Sequence, residues 1–199
     1  LSGLVGSEMC IRDSISNELG ISPGNLYYHY PAKDELVNAL FTRYKAAMLE
    51  LLVSAPEVRH LEDAWFFIHH LLERVWTHRF IYRDLNDLLS RNRRLESEMK
   101  EVLLHKDTAF QVLLARLTQA GLLDMEEIDR RATASHMVLQ STWWLSYAYV
   151  LQPRSALEDD NGPRAMVDAA QSMLTLCKPY AQGPGRKHLQ ACLLYTSPS

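Results

Sequence analysis

The sequence predicts an all-α fold. Apolar residues recur at three- and four-residue steps through nearly the whole chain, and no stretch alternates apolar with polar as a half-buried strand would. The breaks between periodic segments fall at proline, glycine and asparagine, residues that stop or cap helices. No internal repeat is present.

Over 34–53, Leu36, Val37, Leu40, Phe41, Tyr44, Met48, Leu51 and Leu52 form one stripe, which Ser54-Ala55-Pro56 ends. Trp65, Ile68, Leu72, Val75 and Trp76 give a second helix over 61–80. A short helix is predicted over 82–90, with Asn92 as the interruption. The segment 95–120 reads as a long helix carrying Met99, Val102, Leu103, Phe110, Leu113, Leu114 and Leu117. Gly121 stands where a left-handed C-terminal cap is expected. Asp124 is placed to N-cap a helix reaching about Leu151, with Glu126 and Glu127 in the first turn on the favourable side of the macrodipole. Pro153 stops it, 159–163 is a loop, and 164–178 is the last predicted helix. Gln182-Gly183-Pro184-Gly185-Arg186-Lys187 reads as a frayed tail.

Both ends of the chain read differently from its middle. Residues 4–14, LVGSEMCIRDS, and 192–199, CLLYTSPS, have no helical or strand period. Back-translated, the second resembles a transposase adapter used in preparing sequencing libraries, and the first its reverse complement. Segments of this kind are set aside in fold reasoning. The expected organisation is therefore 1–14 adapter-derived, a partial DNA-binding domain with its connecting helix over 15–53, a second domain over 54–181, and a tail over 182–199 that is adapter-derived from 192. Of the three cysteines, Cys10 and Cys192 fall in these ends and Cys177 remains, so no intrachain disulfide framework is expected and a reducing cytoplasm is the simpler setting. The net charge of −3 gives no general attraction to nucleic acid, which leaves that case to a local motif. No apolar run approaches the roughly 18 residues needed to span a bilayer, so no membrane partner is expected.

The informative motif lies in 15–33, ISNELGISPGNLYYHYPAK. It reads as a short helix, a glycine turn and a second short helix. Ile15 and Leu19 are one turn apart, and Gly20 supplies the positive φ that a tight corner needs. Ser22 caps the second helix, with Pro23 at its first position, where a missing N–H costs nothing. Leu26 anchors that helix inward, while Asn25, Tyr27, Tyr28 and His29 present polar tips suited to a phosphate backbone. A helix-turn-helix sets the start of its second helix in the major groove.

The run from Gly20 to Leu36, GISPGNLYYHYPAKDEL, resembles the recognition helix and following segment of TetR-family transcriptional regulators. The Gly-hydrophobic-Ser turn, the Tyr-Tyr-His-aromatic block and the lysine before acidic residues carry the likeness. The resemblance implies that Ser22, Pro23, Gly24 and Asn25 stand at the entrance to the groove. It implies that Tyr27, Tyr28 and His29 meet phosphates or base edges, and that Lys33 pairs with a phosphate. Two departures accompany it: adapter-derived residues stand where the family has its first helix, and Ala32 caps the next helix less well than a polar residue would. Weak operator binding is therefore expected of the 199-residue chain itself.

The resemblance implies a ligand-binding and dimerisation domain after the motif. Trp65, His69, Trp76, Phe110, Trp143 and Tyr147 are the candidate pocket residues, an apolar set with a few polar tips that suits a small hydrophobic or aromatic effector. Helices over 128–151 and 164–178 would pair with their copies in a second subunit. Ala132, Ser135, Leu139 and Thr142 offer one narrow face, and Ala169, Ala170 and Met173 another. The partners implied are double-stranded operator DNA, a small-molecule effector and a second copy of the chain; no cofactor or metal is implied. The function expected is a repressor released from its operator by the effector. The alternative is a helical-bundle metalloprotein or enzyme. Its support is thin: one Glu-x-x-His spacing, Glu57 to His60, and the turn-spaced pairs His69/Glu73 and Glu101/His105. No phosphate-binding glycine loop or nucleophile elbow accompanies them.

Overall fold

The computed structural model describes residues 22, 33–153 and 155–194. Pro23, Gly24, Asn25, Tyr27, Tyr28 and His29 lie outside the described residues, as do 1–14 and Ala32.

Among the described residues eight α-helices follow in order: α1 (Lys33–Leu52), α2 (Leu61–Thr77), α3 (Arg79–Arg83), α4 (Leu85–Arg91), α5 (Arg93–Gln119), α6 (Glu127–Leu151), α7 (Gly162–Thr175) and α8 (Gly183–Leu194). Short 3₁₀ turns at Ala55–Glu57, Asp159–Asn161 and Lys178–Tyr180 join them. The described residues hold no β-strand; one isolated antiparallel bridge links Leu123 and Ala181. The all-α prediction is met.

The stripe read in the sequence buries α1. Leu36, Val37, Leu40, Phe41, Tyr44, Met48 and Leu52 are all in the core, so the helix that follows the recognition motif is rooted in the large domain. Lys45 pairs with Glu101 of α5 at 2.6 Å. Asn92 has two tasks: its Oδ1 accepts the Leu95 amide at 3.1 Å, capping α5, and its Nδ2 donates to Asn38 Oδ1 at 2.9 Å, tying that cap to α1.

The long α5 is the central post, packed against α1, α4 and α6. Its C-terminus is a complete Schellman cap. Gly121 has φ +70°, its amide donates to Thr118 and the Leu122 amide donates to Leu117, both at 3.0 Å. Leu117 and Leu122, the hydrophobic pair of that motif, are both buried.

Three sequence expectations are corrected. Asp124 does not N-cap α6. Its backbone amide donates to the Tyr180 carbonyl at 2.8 Å and its carboxylate accepts from the Gln182 side chain at 3.0 Å, while Glu126 takes the N-cap position. The segment expected as a frayed tail is helix α8. It packs on α2 and α7, buries Leu189, and sets Cys192 and Leu193 against the core. Gly185 lets it approach: a Cβ there would stand 2.1 Å from the Leu122 carbonyl oxygen. Thr142, Ala169, Ala170 and Met173, expected on an intersubunit face, are buried within the chain itself.

Candidate functional site

Two features of the large domain can carry function: a buried polar cluster where α1, α3, α5 and α6 meet, and an uncovered face along α6.

Lys106 stands on the buried stripe of α5, between Val102 and Phe110, and is 0% exposed. Its Nζ donates to Thr142 Oγ1 of α6 at 3.4 Å and to Tyr82 Oη of α3 at 3.5 Å, and lies 5.5 Å from the Tyr82 ring centre. These contacts are long for hydrogen bonds. Burial alone pushes the ammonium down to about 7. Tyr82 in turn hydrogen-bonds the Tyr44 hydroxyl of α1, their rings meeting edge to face at 5.8 Å. Burial raises both phenols, so both stay protonated. His78, at the α2–α3 junction, contacts the Tyr44 ring at 5.3 Å. Desolvation lowers its pKa, and its Nδ1 contacts the Arg74 carbonyl at 2.9 Å.

The six expected pocket residues do not gather in one cavity. Phe110 is sealed in the core, edge to face with Phe67 at 6.3 Å. Trp76 is buried against Trp144 at 6.3 Å, and Gly162 is what allows it, since a Cβ there would lie 2.4 Å from the indole. Trp65 stacks on His69 at 4.9 Å, and His69 faces Glu73 at 3.6 Å, toward the domain's outside. Trp143 and Tyr147 are exposed on α6. Sequence reading missed Tyr44, Tyr82, Lys106 and Thr142. Lys106 was findable: a lysine four residues after Val102 and four before Phe110 falls on an apolar helical stripe.

The uncovered face of α6 carries Leu139, Trp143, Tyr147, Val150 and Leu151, with Tyr147 69% and Val150 78% exposed. Beside it a groove of about 520 Å³ runs between α6 and α7. Tyr147 and Leu151 line one wall, and Arg164, Asp168 and Ser172 the other. The Trp144 indole N–H, buried at the groove's base, has no hydrogen-bond partner among the described residues.

Among the described residues no group of three His, Cys, Asp or Glu side chains could hold a metal ion. Glu57 closes a 3₁₀ turn and His60 precedes α2, where the Asp63 carboxylate accepts the Arg59 and His60 amides at 2.9 Å. No described helix is long and apolar enough to cross a membrane.

The family model TetR, described as a bacterial transcriptional repressor, matches residues 43–189. The chain belongs to the TetR family. Its fold is similar to the crystal structure of a TetR-family transcriptional regulator from Marinobacter aquaeolei VT8. The TM-score is 0.74 at 27% identity, with 94% of this chain and 88% of that one covered. Comparison with curated proteins gives no significant match. As a TetR-family chain it is a DNA-binding transcriptional regulator. The matched residues run from within α1 into α8 and include the polar cluster and the uncovered α6 face.

Proposed function

We propose that this TetR-family regulator is a cytoplasmic homodimeric repressor that a small effector releases from operator DNA. The observation that carries the reading is the α6 face. Leu139, Trp143, Tyr147 and Val150 recur along one side of a 25-residue helix and remain in water in the single chain. An apolar stripe of that length is costly to leave solvated and is the mark of an interaction surface. A second copy, related by a two-fold axis, covers it most economically, with 128–151 and 164–178 of each chain as the interface. Two recognition helices then face half-sites about one DNA turn apart. Ser22, Pro23, Gly24, Asn25, Tyr27, Tyr28, His29 and Lys33 are the residues proposed to meet that DNA.

Support for ligand control comes from α1. It follows the recognition motif directly, and its Tyr44 takes part in the buried polar cluster. A ligand that shifts α1 changes the separation of the two recognition helices and so their register on the duplex. Mobility shifts with DNA from upstream of the gene test the reading. Sequence-specific binding is expected of a chain carrying the complete helix-turn-helix, and weak binding or none of the 199-residue chain, with loss of dimer and of tight binding together in the Tyr147→Glu, Val150→Glu double variant of the former. A well-folded chain with the complete helix-turn-helix that is monomeric and indifferent to DNA sequence would overturn it.

A further inference from the structure

We propose that the effector is a small aromatic carboxylate, bound with its anionic group on Lys106 and the hydroxyls of Tyr82 and Thr142. This rests on the effector-controlled reading above and names the chemical class that the buried cluster fits.

Lys106 is fully buried, and no described carboxylate forms an ion pair with it. Its two oxygen neighbours are neutral hydroxyls at 3.4 and 3.5 Å. An ammonium has three donors and one charge to satisfy; here two donors make only long contacts and the charge is unmet. Burying such a group without compensation is destabilising, whereas leucine or methionine would fill the same place on α5 without penalty. A carboxylate placed among Nζ, Tyr82 Oη and Thr142 Oγ1 supplies the missing charge and short, charge-assisted hydrogen bonds. The aromatic side chains of the cluster favour a flat organic body: the Tyr82 ring centre is 5.5 Å from Nζ, Tyr44 meets Tyr82 edge to face at 5.8 Å, and Phe41 packs on Tyr44 at 5.3 Å.

The same contacts connect the ligand to DNA binding. Tyr82 hydrogen-bonds Tyr44 on α1, so an anion that draws the Tyr82 hydroxyl toward itself alters the bond that holds α1. The ionisable groups facing Lys106 are Tyr82 on α3 and, behind it, Tyr44 on α1 and His78 at the α2–α3 junction; α6 contributes the hydroxyl of Thr142. Both phenols stay neutral and burial keeps His78 from charging, which leaves Lys106 as the proton that couples to binding. Burial holds that amine at about 7 when no anion is present. Binding an anion therefore takes up a proton above neutrality, and affinity falls by about tenfold per pH unit there.

Calorimetry of the chain with benzoate, phenylacetate and cinnamate, each beside its amide, tests this. Carboxylates are expected to bind and amides not, with proton uptake at about pH 8. Lys106→Met is expected to weaken carboxylate binding by roughly ten- to a hundredfold. Failure of the wild-type chain to bind any of the three carboxylates, or equal binding of acid and amide, overturns the proposal. Should Lys106→Met not fold, carboxylate binding by the wild type without proton uptake overturns it as well. The mobility shift separates the two readings: operator binding without carboxylate binding removes the anion alone. Carboxylate binding by a chain that carries the complete helix-turn-helix and yet ignores DNA removes the regulatory reading alone.

Discussion

A buried amine without a counter-ion makes stability depend on pH in a direction opposite to that of a lysine held in an ion pair. Lys106 loses its proton near 7 in the native chain, whereas an unfolded lysine keeps it to roughly 10.4. Between these values the unfolded state binds more protons, so stability rises with pH, by about 1.4 kcal/mol per unit. Urea titrations of wild type and Lys106→Met are expected to diverge in this way between about pH 7 and 9. Parallel curves would show that Nζ reaches water. Other side chains are legible only with their neighbours. Gly162 looks like a helix-starting glycine beside a proline, yet its task is to make room for the Trp76 indole. Cys177, the one cysteine within the predicted helices, is a packing residue: full burial pushes its thiol up to about 12 and leaves it unreactive.

At the scale of elements, α5 was readable almost completely. Its apolar stripe and its glycine C-cap are local signals that the structure uses as expected, while Asn92, read only as an interruption, is its N-cap. The opposite case is α8. A glycine- and proline-rich start reads as coil, and its apolar positions Leu189, Cys192 and Leu193 straddle the segment set aside as adapter-derived. Nothing local makes it helical; its docking on α2 and α7 does. Leu189→Ala is accordingly expected to cost about 2–3 kcal/mol of unfolding free energy, measured in urea. An unchanged midpoint would mean that α8 is undocked in solution. Asp124 follows the same logic. Its sequence position suits an N-cap, but the return of the chain at Tyr180 and Gln182 offers it other partners.

The whole molecule has more apolar surface along α6 than a single subunit can cover. If a second copy covers it, folding and association are linked, and the unfolding midpoint must depend on protein concentration. The thermal midpoint of the wild type is expected to rise by a few degrees over a hundredfold increase in concentration, while that of the Tyr147→Glu, Val150→Glu variant stays fixed. A concentration-independent midpoint in the wild type would remove the dimer.

The sequence by itself determined the all-α class, the long helices α1, α2, α5 and α6, and the recognition motif that resembles the TetR family. Each of these is written in residues three to seven positions apart, within the reach of a helical period or a cap. Only the tertiary structure decided which faces stay inside one subunit. Thr142, Ala169, Ala170 and Met173 went to the chain's own core, while Leu139, Trp143, Tyr147 and Val150 stayed outside. Only it brought Tyr44, Tyr82, Lys106 and Thr142 together from four helices. Those four are separated by as many as 98 positions, and a period of 3.6 residues says which side of a helix is buried, not what it will meet there.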